Sequence, residues 1–274
     1  MTVLQSIILG VVQGLTEFIP VSSSAHLVIV PYLLNWQFPA DQAFLFNVLV
    51  QLASLAAVIV YFWSDLVAII KAFFRGLVHK KPFEDSQARL GWFLLLATVP
   101  AGVIGLLIKD LVEQAFSNPA LTACLLFVTA GLLVLAERVG RRLRDLDDLK
   151  WFDVLWIGIF QAAAIFPGIS RSGATIAGGM TRDLKRPAAA RFAFLMSIPI
   201  MLAAGLLAST DLAQMSSARD VLWVFIPGFI ASAVIAYLAI RWLIKYLSSH
   251  PLYDFAIYCV GLGLLTLLVY FIRG

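Results

Sequence analysis

The 274 residues are 61% hydrophobic and 13% charged, with a mean hydropathy of +0.93 and a formal net charge of +4. A water-soluble domain carries about 25% charged residues, so this composition predicts lipid as the solvent for most of the surface. It excludes a soluble domain, because no polar stretch is long enough to hold one, and it excludes a nucleic-acid binder, because the basic residues sit in short clusters between apolar runs.

The first apolar stretch, 3–34, is interrupted by Pro20-Val21-Ser22-Ser23-Ser24. It lacks a basic leader region and contains Glu17 and His26, so it reads as part of the mature fold rather than as a cleavable signal. Spans near the roughly 20 apolar residues that cross a bilayer follow at 44–63, 91–108, 120–137, 191–209, 221–243 and 253–272. A second interrupted stretch, 151–180, is broken by Pro167-Gly168-Ile169-Ser170-Arg171-Ser172-Gly173. Non-helical backbone at membrane depth survives only where protein or water satisfies it. Both interrupted stretches are therefore predicted to be re-entrant helix pairs that return to the side they came from. Cys124 and Cys259 lie in separate apolar stretches and read as two packed thiols, with no disulfide and no metal knuckle.

With six crossings the intervening loops alternate sides. One side receives 64–90 (Lys71, Arg75, Lys80, Lys81, Arg89), 138–150 (Arg138, Arg141, Arg142, Arg144, Lys150), 181–190 (Arg182, Lys185, Arg186) and 244–252 (Lys245). The other receives 109–119, with Lys109, Asp110 and Glu113, and 210–220, with Asp211, Arg219 and Asp220. The Lys/Arg bias assigns the first set to the cytoplasm. Both termini and stretch 3–34 then start from the outer side, and stretch 151–180 enters from the inner side.

A shift of 148 residues aligns the two interrupted stretches: Gly10 with Gly158, Gln13 with Gln161, Phe18 with Phe166, Ser22 with Ser170 and Ser24 with Ser172. Opposite entry of two similar segments predicts an inverted repeat, about 1–137 and 149–274, with its site near the membrane midplane where the broken helices meet.

Ionisable groups inside a membrane are costly and point to function. Of the 16 acids only Glu17 is central to an apolar stretch, and of the three histidines only His26 is deep. Arg171 is the one arginine within a Ser/Gly cluster of an apolar stretch. Gln13 and Glu17, four residues apart, share a helix face. Glu17 suits a hard cation, with Gln13 as a carbonyl ligand, or general-base work, or a structural pair with Arg171. The run Ser22-Ser23-Ser24-Ala25-His26 places hydroxyls before an imidazole. That suits an activated hydroxyl nucleophile, attack by the imidazole itself, or, for one serine, a helix cap. Ser170, Arg171, Ser172 and Thr175 offer hydroxyls and a planar fork of donors for phosphate or carboxylate. Gly168 and Gly173 allow close backbone approach.

At these residues the sequence resembles the undecaprenyl-pyrophosphate phosphatase (bacitracin-resistance) family. The resemblance rests on Gln13-Gly14-Leu15-Thr16-Glu17-Phe18-Ile19-Pro20-Val21-Ser22-Ser23-Ser24-Ala25-His26 and Pro167-Gly168-Ile169-Ser170-Arg171-Ser172-Gly173-Ala174-Thr175. It implies an all-α polytopic hydrolase of the bacterial cytoplasmic membrane, with its site open to the periplasm. Such an enzyme converts undecaprenyl pyrophosphate to the monophosphate and phosphate, recycles the carrier for peptidoglycan synthesis and confers bacitracin resistance. The resemblance also implies a divalent cation, Mg²⁺ or Ca²⁺, and has Glu17 with Gln13 bind that cation or support catalysis. Ser23 and His26 become the nucleophile candidates, with Ser22, Ser24, Ser170, Arg171, Ser172 and Thr175 around the pyrophosphate. Gln13 is the neutral form of its motif position, and Ala25 stands where the family commonly has Gly. The rival reading is a transporter or lipid flippase with a midplane anion site. The expected partners are the polyprenyl pyrophosphate and membrane lipid, without nucleic acid; the oligomeric state stays open, a homodimer included.

Overall fold

The computed structural model describes residues 1–116, 118–212 and 218–273, the side chains of 40, 41, 109, 110, 113, 207–212 and 218–222 apart. The side chains of the loop charges Lys109, Asp110, Glu113, Asp211, Arg219 and Asp220 therefore lie outside the description. Among those described there are twelve α-helices and no strand beyond an isolated bridge between Arg144 and Leu184. Six helices are long and apolar enough to cross a membrane, with spans at Gln42–Tyr61, Ser86–Leu107, Pro119–Val139, Arg186–Leu206, Trp223–Leu247 and Tyr253–Arg273. They belong to α3 (Ala40–Tyr61), α5 (Ser86–Leu107), α7 (Pro119–Val139), α10 (Arg186–Leu212), α11 (Ala218–Leu247) and α12 (Tyr253–Arg273).

Both interrupted stretches fold as pairs of short helices. The first is α1 (Val3–Thr16) and α2 (Ser23–Leu33); the second is α8 (Trp151–Ala163) and α9 (Arg171–Met180). At 1.5 Å per residue the longest of these reaches about 21 Å, short of a hydrocarbon core of about 30 Å.

Contacts at the helix ends fix how the pairs enter. The second pair is closed at its base: Arg144 and Arg182 both bind Asp153, and Leu143 and Arg144 donate backbone N–H groups to the Asp183 carbonyl. Glu137 at the end of α7 binds Arg142, Arg186 at the start of α10 and the Leu252 backbone N–H just before α12. This is the Lys/Arg-rich end. The first pair is tied to the opposite end. Arg273, at the far end of α12, donates to the Tyr32 and Leu33 carbonyls, and the Met1 nitrogen donates to Gln42 at the start of the α3 span. The two helix pairs therefore enter from opposite ends of the bundle, and their tips meet inside it.

Two loop predictions are corrected. The basic segment 64–90 is largely helical, as α4 (Trp63–Val78), which runs back along α5 with Ile69 and Phe73 beside Gly91. Its charges disguise an apolar face, since Ile69, Ala72 and Gly76 are buried. Segment 109–119 holds a short helix, α6 (Lys109–Phe116). Of the two cysteines only Cys259 is buried; Cys124 is exposed, and both are free thiols.

The short helix α1 crosses the long helix α11 without large side chains between them. A Cβ on Gly10 of α1 would collide with the Gly228 carbonyl of α11, and one on Gly14 would lie 2.5 Å from the Ser232 carbonyl oxygen. Small residues at such crossings let backbones touch in lipid, where no hydrophobic force separates helix faces from acyl chains. Phe18 at the first tip stacks edge-on against Phe194 of α10, ring centroids 5.2 Å apart, inside the main core.

The topology is checked by single cysteines in a Cys124→Ser/Cys259→Ala background. Cysteines at His79, Leu143 and Ser249 are expected to react with an impermeant maleimide from one face of oriented vesicles, and a cysteine at Asn35 from the other. Labelling of Leu143 and Asn35 from the same face would overturn the arrangement.

Candidate active site

The chain breaks at both tips for local reasons. After α1, Glu17 is still in right-handed helical conformation, its N–H on the Gln13 carbonyl, and the backbone then turns through Phe18–Val21. Pro20 has no N–H to continue the ladder. Ser22 adopts φ 70°, a left-handed conformation outside glycine's usual monopoly, and caps α2 by accepting the Ala25 N–H on its hydroxyl. At the second tip Gly168 has φ 108°, and a Cβ there would sit 2.5 Å from the Thr122 carbonyl oxygen. Only glycine satisfies both demands. Ser170 then caps α9 by accepting the Gly173 N–H at 3.0 Å, while its own N–H donates to Thr129 Oγ1.

These breaks place the beginnings of α2 and α9 beside each other. A Cβ on Gly173 would lie 3.4 Å from Pro20 Cβ, and the Ser172 hydroxyl donates to the Ile19 carbonyl at 3.3 Å. Between the tips lies Glu17, only 7% exposed. One carboxylate oxygen, Oε1, is bound by Arg171 Nη2. The other, Oε2, accepts from Gln13 Nε2 at 2.8 Å and from Ser23 Oγ at 2.6 Å. A buried carboxylate needs its lone pairs filled, and here a guanidinium and two further donors fill them.

Of the nine residues singled out from the sequence besides Gln13, the structure brings Glu17, Ser23 and Arg171 into one hydrogen-bonded group with it. The three neighbouring serines play different parts. Ser22 is the cap, Ser24 Oγ lies 3.2 Å from Ser22 Oγ, and Ser23 alone reaches the carboxylate. Ser170 and Ser172 have hydroxyls 3.1 Å apart at the start of α9. Thr175 turns its hydroxyl back onto the Arg171 and Ser172 carbonyls, a helix-internal bond.

His26 stands apart from the group. It is buried, with Nδ1 2.7 Å from the Ser22 carbonyl and Nε2 2.7 Å from the Tyr258 hydroxyl. Tyr258, on α12, carries no motif and escapes a reading of the sequence. So does Met201 of α10, whose sulfur lies 3.2 Å from Arg171 Nη2. The guanidinium has no other hydrogen-bond partner among the described residues, and its side chain is 25% exposed. Donors remain available for an anion arriving at the tips, next to the N–H groups that open α9.

Among the described residues no three His, Cys, Asp or Glu side chains gather as a metal cluster. A hard cation drawing most of its ligands from phosphate and water needs only one or two protein oxygens. Glu17 supplies a carboxylate, and Gln13 Oε1 is buried without a hydrogen-bond partner. That orphaned acceptor beside the only carboxylate of the group fits such a cation.

Known proteins resemble the chain over its whole length. The family described as Bacitracin resistance protein BacA matches residues 6–265. An undecaprenyl-diphosphatase of Thermomicrobium roseum is 41% identical over 276 aligned residues, covering 98% of this chain and 98% of that protein. Undecaprenyl-diphosphatases of Myxococcus xanthus (40%, 98% of this chain and 89% of that one) and Desulforudis audaxviator (42%, 98% of each) are similar to the same extent.

Ser22 offers a test of the local geometry. Removing an N-cap hydroxyl costs about 1 kcal/mol, whereas glycine at a cap costs a few tenths and relieves a positive φ. Ser22→Gly is therefore expected to melt close to the parent in detergent and Ser22→Ala to melt lower; the reverse order would contradict the capped, left-handed conformation.

Proposed function

The chain belongs to the bacitracin resistance protein BacA family, and from that membership and the group around Glu17 we propose the following function and mechanism. The protein is an undecaprenyl-diphosphatase. It is a multi-pass membrane hydrolase that converts undecaprenyl pyrophosphate and water to undecaprenyl phosphate and inorganic phosphate. It thereby returns the lipid carrier to cell-wall synthesis and confers bacitracin resistance. A lipid with an anionic head and a long apolar tail suits a polar group enclosed by lipid-facing helices.

The observation that carries the mechanism is the Ser23 hydroxyl donating to Glu17 Oε2 at 2.6 Å while Arg171 holds the other carboxylate oxygen. A hydroxyl on a neighbouring base is an activated nucleophile. Ser23 Oγ attacks the terminal phosphorus and its proton passes to Glu17. The bond from that phosphorus to the bridging oxygen breaks, and undecaprenyl phosphate leaves with the electron pair. Glu17 then releases its proton to solvent. A water attacks the phosphoserine and gives a proton to Glu17, the Ser23–phosphorus bond breaks, and Ser23 recovers that proton as phosphate departs. Arg171 and the opening N–H groups of α9 neutralise charge on the transferred phosphoryl group. Ser170 and Ser172 border that anion position, with Ser22 and Ser24 across from them. Thr175 supports it indirectly, by bracing the first turn of α9. Gln13 orients Glu17. A divalent cation, Mg²⁺ or Ca²⁺, held by Glu17 and Gln13 Oε1, would add charge neutralisation at the pyrophosphate oxygens.

His26 is the other nucleophile candidate, but the Ser22 and Tyr258 contacts at its two ring nitrogens favour Ser23. The site is assigned to the outer side of the bacterial cytoplasmic membrane, because α1–α2 starts from the end opposite the Lys/Arg-rich loops. The opposed entry of α1–α2 and α8–α9 also supports an inverted repeat of segments 1–137 and 149–274.

Detergent-solubilised protein is expected to release phosphate from undecaprenyl pyrophosphate, which a flippase, dependent on sealed compartments, would not do. Ser23→Ala, Glu17→Gln and Arg171→Ala should each lower kcat by about 100-fold or more, and rapid acid quench should trap phosphoserine at Ser23. Normal turnover in Ser23→Ala, or phosphate trapped on His26, would sink the serine mechanism.

A further inference from the structure

Tyr258 belongs to neither motif, yet it reaches the second nitrogen of the deep histidine. Its hydroxyl lies 2.7 Å from His26 Nε2, and the two rings are nearly parallel, 5° apart with centroids at 5.6 Å. On the other edge of the imidazole, Nδ1 is 2.7 Å from the Ser22 carbonyl. A carbonyl can only accept, so Nδ1 carries a proton. In the neutral ring Nε2 then offers a lone pair, and the Tyr258 O–H donates to it. The same Ser22 carbonyl accepts the His26 backbone N–H at 3.2 Å. Ser22 is the left-handed residue that opens α2, and Ser23 follows it. The tyrosine is thus two hydrogen bonds from the backbone that aims the Ser23 hydroxyl. The adjacent Cys259 is fully buried, with its sulfur 4.0 Å from the Pro20 carbonyl, so α12 touches the first tip at two successive residues.

We propose that Tyr258 is a positioning residue for the hydrolysis: by donating to His26 Nε2 it holds the imidazole on the Ser22 carbonyl and so fixes the turn that carries Ser23. It acts through His26 and touches neither phosphate nor leaving group. The proposal rests on Ser23, Glu17 and Arg171 forming the reacting group as described above. It also gives His26 a role without asking it to attack phosphorus.

Tyr258→Phe keeps the ring and removes the donor; Tyr258→Leu removes both. Removing the donor leaves a buried acceptor unpaired, so a kcat lower by roughly tenfold is expected for Tyr258→Phe. KM for undecaprenyl pyrophosphate should stay within about twofold, since ground-state binding is untouched. Tyr258→Leu should fall at least as far. In ¹⁵N-histidine-labelled protein the Nε2 resonance of His26 should move in Tyr258→Phe. Parental kcat per folded molecule in Tyr258→Phe would overturn the proposal, including when less folded protein is recovered. Arg171→Ala in the same assay separates the two levels: an inactive Arg171→Ala beside a fully active Tyr258→Phe removes the tyrosine's role alone, whereas a fully active Arg171→Ala removes the reacting group on which it depends.

Discussion

The ion pair between Glu17 and Arg171 is the constraint around which the molecule is arranged. The partners are 154 positions apart and sit on tips that enter from opposite ends of a lipid-facing bundle. Either charge alone at that depth would be strongly unfavourable, and even a paired buried acid needs its remaining lone pairs filled. Gln13 and Ser23 fill them. The broken helices, the left-handed Ser22 and the close α1–α11 crossing all serve to bring these four side chains to one place. The proposed chemistry draws on what the pairing leaves over: a hydroxyl aimed at a carboxylate and a guanidinium with donors to spare.

Much of this is legible in the residues alone. The six long helices follow from uninterrupted apolar runs. The two short pairs follow from proline, glycine and serine within apolar stretches, where free backbone groups must find protein partners. Glu17, Arg171 and His26 stand out because ionisable side chains are so scarce in those stretches. Loop charge predicts the opposite entry, and the ties at Asp153, Glu137 and Arg273 agree with it.

What is illegible has a physical pattern. Helix α4 reads as loop because its lysine and arginine obscure the apolar stripe of Ile69, Ala72 and Gly76. The spacing of three successive serines cannot say which one faces the acid; that depends on the φ of Ser22, which rotates Ser23 toward Glu17. Thr175 looks like a ligand because its motif is polar, yet a threonine inside a helix can spend its hydroxyl on the preceding turn. Tyr258 is invisible because a half-exposed tyrosine near a lipid surface is ordinary, and only the meeting of α12 with α2 gives it a partner.

The buried carboxylates at the Lys/Arg-rich end carry one more consequence. Glu137 takes Arg142 and Arg186, and Asp153 takes Arg144 and Arg182. Four of the cations that bias the chain's orientation are therefore, once folded, partners in two internal braces. An insertion apparatus sees them singly, as positive residues to be retained, before either acid has been surrounded. The finished protein shows the membrane surface a weaker field than a residue count suggests. Orientation and rigidity draw on the same arginines at different moments of the molecule's life, so replacing one of them to study sidedness also loosens the floor on which the α8–α9 pair stands.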